Sequence, residues 1–116
     1  TLTFAVEAGS AGEAELKAMD ITDYTAVQSQ SSALMEVAAG TANACVIDIT
    51  MANAMTGEGT GYPDLAIVWE LSSEEYGIGF RMDSDMTAKV NEIMAELMAD
   101  GTLDALAGKY SLTLVK

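Results

Sequence analysis

The stretch Val6-Glu7-Ala8-Gly9-Ser10-Ala11-Gly12-Glu13 decides how this chain is read. The apolar run Leu2 to Val6 leads into it and reads as a strand. Ala14, Leu16, Ala18 and Met19 follow it and read as a short helix. Gly9 stands where the strand must turn sharply into the helix, a bend that favours a residue without a Cβ. Ser10 and Glu13 have the S-x-x-E spacing of a capping box. The first amides of such a helix have no acceptor inside it, and the helix dipole favours an anion in front of them. The chain therefore opens on a strand, a glycine turn and a small anion cradle. Taken alone, the motif is first a helix-start signature and only second an anion site. It is not a phosphate loop, because the G-x-x-x-x-G-K-[ST] spacing and its lysine are missing. It also lacks the third glycine of a dinucleotide fingerprint.

Working outward, Ile21 to Val27 alternates loosely with Thr, Tyr and Val and predicts a second strand. Ser29 is a helix cap, and Ala33, Leu34, Val37 and Ala38 share one helical face that Gly40 terminates. Ala44 to Ile47 is continuously apolar, as in a strand buried on both faces. It ends at Asp48, and Ile49 to Met55 reads as a further helix. Thr56 to Asp64 carries Gly57, Gly59, Gly61 and the only proline, Pro63, and is a loop. Leu65 to Leu71 is β-prone. Tyr76 to Met82 alternates, with Gly77 and Gly79 on a face expected to be too crowded for side chains. Asp83 or Ser84 caps the longest helix, whose apolar stripe is Met86, Val90, Ile93, Met94, Leu97 and Met98. Gly101 ends that helix, and Thr102 caps a last one through Tyr110. Strands alternating with helices predict an α/β class with a mostly parallel, five-stranded sheet. Ligands of such sheets sit at the carboxyl ends of the strands, where Gly9-Ser10 and Asp48 both lie.

Composition narrows the function classes. The chain has 116 residues, of which 50% are hydrophobic, enough for one globular core. Five basic and eighteen acidic residues give a net charge of −13. That argues against nucleic acid and anionic membrane surfaces as partners, since both need clustered Lys and Arg. There is no histidine, the commonest general base and metal ligand. No metal site and no cofactor are expected. Cys45 sits in an apolar run and reads as a small core residue. A single cysteine forms no internal disulfide and leaves the redox compartment open. No apolar run approaches the ~20 residues of a membrane span.

Four blocks in order resemble a known family: Val6 to Glu13; Ala33-Leu34 followed by Ala39-Gly40-Thr41-Ala42-Asn43-Ala44-Cys45-Val46-Ile47-Asp48; Glu75-Tyr76-Gly77-Ile78-Gly79-Phe80-Arg81; and Val90-Asn91 with Asp100-Gly101-Thr102-Leu103. Together they are similar to the second lobe and C-terminal helices of a polar-amino-acid solute-binding protein, the receptor of an ABC importer with the type 2 periplasmic-binding-protein fold. The resemblance implies a three-layer α/β/α sandwich for residues 1–82, followed by helices over 83–116 that pack on a first lobe. It implies an amino acid held between two lobes. Ser10 and the amides of Ala11 and Gly12 would meet its carboxylate, Asp48 its ammonium, and Glu7 its side chain. Tyr76 and Gly77 match the returning hinge segment. Asn43 departs from the family, which often has aspartate there. The first lobe, with its own carboxylate-binding arginine, has no counterpart: Lys17, Arg81, Lys89, Lys109 and Lys116 lie in no first-lobe motif.

The implied partners are a small amino acid, the first lobe of the same protein and a membrane permease. The implied location is extracellular or periplasmic, as a membrane-anchored lipoprotein whose signal lies outside this chain. A further expectation is that the 86–98 stripe either folds onto this lobe's own sheet or buries itself in a second copy as a dimer, because an apolar stripe seeks a partner. Not being an enzyme is the leading reading. A dehydratase-like enzyme on the same fold and the ligand-sensing domain of a membrane receptor stand as alternatives. Asp48 reads equally as an N-cap of the next helix, and both roles can hold at once.

Overall fold

The structure, a computed structural model, describes residues 1–115. It divides into two compact units, Thr1–Ser72 and a second that begins at Ser73. The first unit holds β1 (Phe4–Glu7), α1 (Ala11–Ala18), β2 (Tyr24–Val27), α2 (Gln30–Ala38), β3 (Ala44–Val46) and α3 (Ile49–Met55). The second holds α4 (Met86–Ala99) and α5 (Thr102–Tyr110).

The sheet of the first unit is parallel, in the order β2-β1-β3, with Val6 paired to Ala26 on one side and Val46 on the other. Successive residues of a strand face opposite sides of its sheet, so Ala5 and Val6 serve different layers. Ala5 packs with Ala33 and Ala42, and with Val27, Val37, Cys45 and Ile47, on the α2 side. Val6 and Val46 face α1, close enough that a Cβ on Gly12 would meet Val46 Cγ1 at 2.9 Å and Val6 Cγ2 at 3.2 Å. A helix thus lies on each face. The crossover from β1 to β2 and the return from β2 past β1 to β3 run in opposite directions, so right-handed connections place their helices on opposite faces. Leu16, Leu34 and Val6 are the largest fully buried side chains.

Local chemistry explains where the helices begin and end. Ser10 and Ser29 adopt extended backbone and accept hydrogen bonds from the amides of Glu13 and Ser32. Gly9 and Gly40 take positive φ, 74° and 76°, at the turn into α1 and the exit from α2. In the second unit, α4 starts one or two residues later than expected: Asp85, not Asp83 or Ser84, is the N-cap residue, while the Ser84 hydroxyl accepts from the Met86 amide at 3.2 Å. Gly101, at φ 84°, separates α4 from α5.

The mixed α/β class holds, but the described residues contain three strands, not five. Leu65–Leu71 and Tyr76–Met82 form neither strand nor helix. A strand is stable only against a neighbouring strand, and among the described residues these segments have none. Their side chains are correspondingly open: Val68 is 90% exposed and Trp69 74%. Nor is there crowding at Gly77 or Gly79, where a Cβ would meet nothing within 4 Å. β3 is also less enclosed than a strand buried on both faces. All three of its residues are half-buried, because only one of its edges is paired. Cys45 lies there, its thiol pushed up by burial.

Candidate ligand site at the carboxyl edge of the sheet

All three strands run in one direction, so their carboxyl ends and the starts of the following helices share one edge. Ser10, Ser29 and Asp48 cap α1, α2 and α3 along it. The strand order reverses between β1 and β3, since the chain leaves β1 toward β2 and then crosses back to β3. A crevice at such a reversal is where open α/β sheets place ligands. Ser10 and Asp48 flank it from adjacent strands.

The β1–α1 turn is tightly wired. The Ser10 hydroxyl donates to the Glu7 carbonyl at 2.7 Å and accepts from the Glu13 amide at 3.2 Å. The Ser10 amide also donates to the Glu7 carbonyl, at 3.2 Å. The capping box is therefore displaced by one residue. Glu13 Oε2 reaches back to the Gly9 amide at 2.7 Å, not to that of Ser10. Glu13 also accepts from the Tyr24 hydroxyl at 3.0 Å and pairs with Lys17 at 2.9 Å. These donors, the Lys17 ammonium first, hold its carboxyl down at about 2. Because the Ser10 proton is committed to Glu7, the donors left at the turn are the amides of Ala11 and Gly12. Neither has an acceptor among the described residues. Gly12 has a second reason to be glycine: α1 approaches Val6 and Val46 too closely for a side chain.

On the other strand, Asp48 has φ −60° and ψ 137°, and its Oδ2 accepts from the Met51 amide at 3.1 Å, so it does cap α3. Its own amide donates to the Gln30 side-chain carbonyl at 2.8 Å. Glu7 is half-buried at the end of β1, beside Ser10. The structure thus brings Glu7, Ser10, Ala11, Gly12 and Asp48 to one edge of one unit. Tyr76 and Gly77 belong to the other unit, in an exposed stretch before α4.

Sequence reading did not single out Gln30, Tyr24 or Lys17 in this region. Lys17 was discoverable, since Glu13 and Lys17 have the i,i+4 spacing of a helical ion pair. Gln30 and Tyr24 act across the sheet, and only the register brings them near. A cavity of about 340 Å³ lies elsewhere in this unit, lined by Val37, Ala38, Tyr62, Asp64 and Leu65 near the last turn of α2. Among the described residues no cluster of His, Cys, Asp and Glu is arranged to hold a metal ion. No helix there is long and apolar enough to cross a membrane. In comparisons with known proteins, no family model, no curated protein and no solved structure matches this chain.

Proposed function

We propose that the chain is an amino-acid-binding lobe, the second of two in a receptor of the polar-amino-acid solute-binding type that serves an ABC importer. One observation carries this reading. The helix-start amides of Ala11 and Gly12, which have no acceptor among the described residues, and the carboxylate of Asp48 stand at the ends of adjacent parallel strands, where the strand order reverses. An amino acid carries an anion and a cation a few ångströms apart. The amides suit its carboxylate, and the acceptor-only aspartate suits its ammonium. Glu7 stands where it can meet a ligand side chain that is cationic or donates hydrogen bonds.

The finer architecture belongs to the same proposal. In the two-lobed receptor, residues 65–71 and 76–82 gain strand neighbours, giving the five-stranded lobe and its return crossing. The exposure of Val68, Trp69, Tyr76 and Ile78 supports this, because large apolar side chains are costly to leave in water. When the two lobes close, both charged ends of the ligand are buried. In that receptor Asp48→Asn then weakens every α-amino acid by about 2–5 kcal/mol, the cost of leaving a buried charge unpaired. Ser10→Ala costs the ligand less than about 1 kcal/mol, because the Ser10 hydroxyl donates to the Glu7 carbonyl and not to the ligand, while the amides of Ala11 and Gly12 remain.

A one-sided site leaves the ligand ions in water, where pairing contributes little. The 116-residue chain therefore binds free amino acids at about millimolar Kd or weaker. Calorimetry with a panel of amino acids tests this; micromolar binding by the chain alone contradicts the two-lobed reading.

A further inference from the structure

The amide of Asp48 faces an unusual requirement. The β1–β3 register ends at Val6 and Val46, so the sheet offers no acceptor two residues further on. Asp48 is also the N-cap of α3, outside that helix's own ladder. A half-buried N–H in this position must find an acceptor or carry the cost of an unmade hydrogen bond. It finds one 18 residues away in sequence, the side-chain oxygen of Gln30, at 2.8 Å. Gln30 is the first residue of α2. This contact therefore joins the start of one helix to the cap of another, across the carboxyl edge.

The direction of a carboxylate depends on the backbone that bears it. The Asp48 main chain is held on both sides. Its carbonyl accepts from Ala52 at 2.9 Å, and its amide is held by Gln30. The first belongs to α3 and turns with it. The second lies outside α3 and refers the residue to α2.

Building on the amino-acid reading of the site, we infer that Gln30 is a positioning residue. Its carboxamide holds the Asp48 main chain against α2 and thereby aims the Asp48 carboxylate at a ligand ammonium. It needs no contact with the ligand to do so.

The test uses the whole chain, ¹⁵N-labelled, with Gln30→Leu and Gln30→Glu. In Gln30→Leu the Asp48 amide should exchange about fivefold faster, as expected when a hydrogen bond of about 1 kcal/mol is lost. Ala52, bonded to the Asp48 carbonyl, should keep its rate. Glycine and acetate are then titrated against each protein. They share a carboxylate, and only glycine carries the ammonium. The preference for glycine over acetate should fall about threefold or more in Gln30→Leu, following the lost aim of Asp48. In Gln30→Glu, which keeps an acceptor oxygen, it should persist. General loosening of the fold weakens both ligands alike and leaves the preference unchanged.

An Asp48 amide whose exchange ignores Gln30→Leu overturns the inference. So does a preference for glycine that survives Gln30→Leu. If the unaltered chain itself fails to prefer glycine, the amino-acid reading of the site is what fails, and the inference falls with it.

Discussion

Two regions of this molecule are similarly rich in strand-forming residues and end differently. Phe4–Glu7, Tyr24–Val27 and Ala44–Val46 form a parallel sheet with a helix on each face. Residues 65–82 include Ile67, Val68, Trp69, Tyr76, Ile78 and Phe80, yet hold no strand at all. The first region has neighbours at the right register, joined by helices that fold back onto the sheet. The second has apolar side chains and no ladder. A strand is the property of a pair, and β-propensity states only that a residue fits a pleated, half-buried surface. The first region is a packed scaffold, and the second leaves Val68, Trp69, Tyr76 and Ile78 exposed.

The contrast can be broken most sharply in the core of the sheet unit. Leu34 is 1% exposed, so Leu34→Ala should cost about 2–5 kcal/mol in a denaturant titration, the range for emptying a packed site. Trp69→Ala, at a larger but 74% exposed side chain, should stay within about 0.5 kcal/mol. Comparable losses at both positions would mean that residues 65–82 are packed after all. Next comes Gly12→Val, which pushes a side chain into Val46 and Val6 and should cost about 1–3 kcal/mol by overpacking. Gly77→Val, in open space, should cost far less.

The caps follow. Ser29→Ala removes the acceptor of the Ser32 amide and should cost about 1 kcal/mol. The smallest effect is a pH dependence. The Glu13 carboxyl is lowered from 4.5 to about 2 in the folded chain. Its contribution to stability is therefore complete above the unfolded value and is lost as pH falls from about 5 toward 2. Chemical denaturation across that window should show a shallower decline for Glu13→Gln than for the unaltered chain. Equal slopes would mean that the links to Lys17, Gly9 and Tyr24 do not form in solution.

Where the sequence was informative, the signal was local. Ser10, Ser29 and Asp48 were legible as caps because a cap is an interaction over three residues. Gly9 and Gly40 were legible because a positive φ is a demand on one residue. The parallel sheet followed from strand–helix alternation, and the shared edge of Ser10 and Asp48 followed from the parallel sheet. Interactions that cross the sheet stayed hidden. Nothing near Gln30 in the chain announces that its side chain meets Asp48, nor does anything near Tyr24 announce Glu13. The expected strands at 65–71 and 76–82 went wrong for the complementary reason: their residues have the right chemistry, but no neighbouring strand. The displaced capping box is subtler. S-x-x-E spacing brings Glu13 back to the turn, and only the positive φ of Gly9 offers that amide in place of Ser10's.

The most direct test of the account is a glycine titration of the ¹⁵N-labelled chain beside Asp48→Asn, followed amide by amide, with acetate as the control. The account predicts that the amides of Ala11, Gly12 and Asp48 shift together, with a Kd of about 1 mM or weaker. It predicts that Asp48→Asn weakens glycine and leaves acetate unchanged. If Asp48→Asn binds glycine as tightly as the unaltered chain, Asp48 serves only to cap α3, and the assignment of this edge as an amino-acid site is wrong.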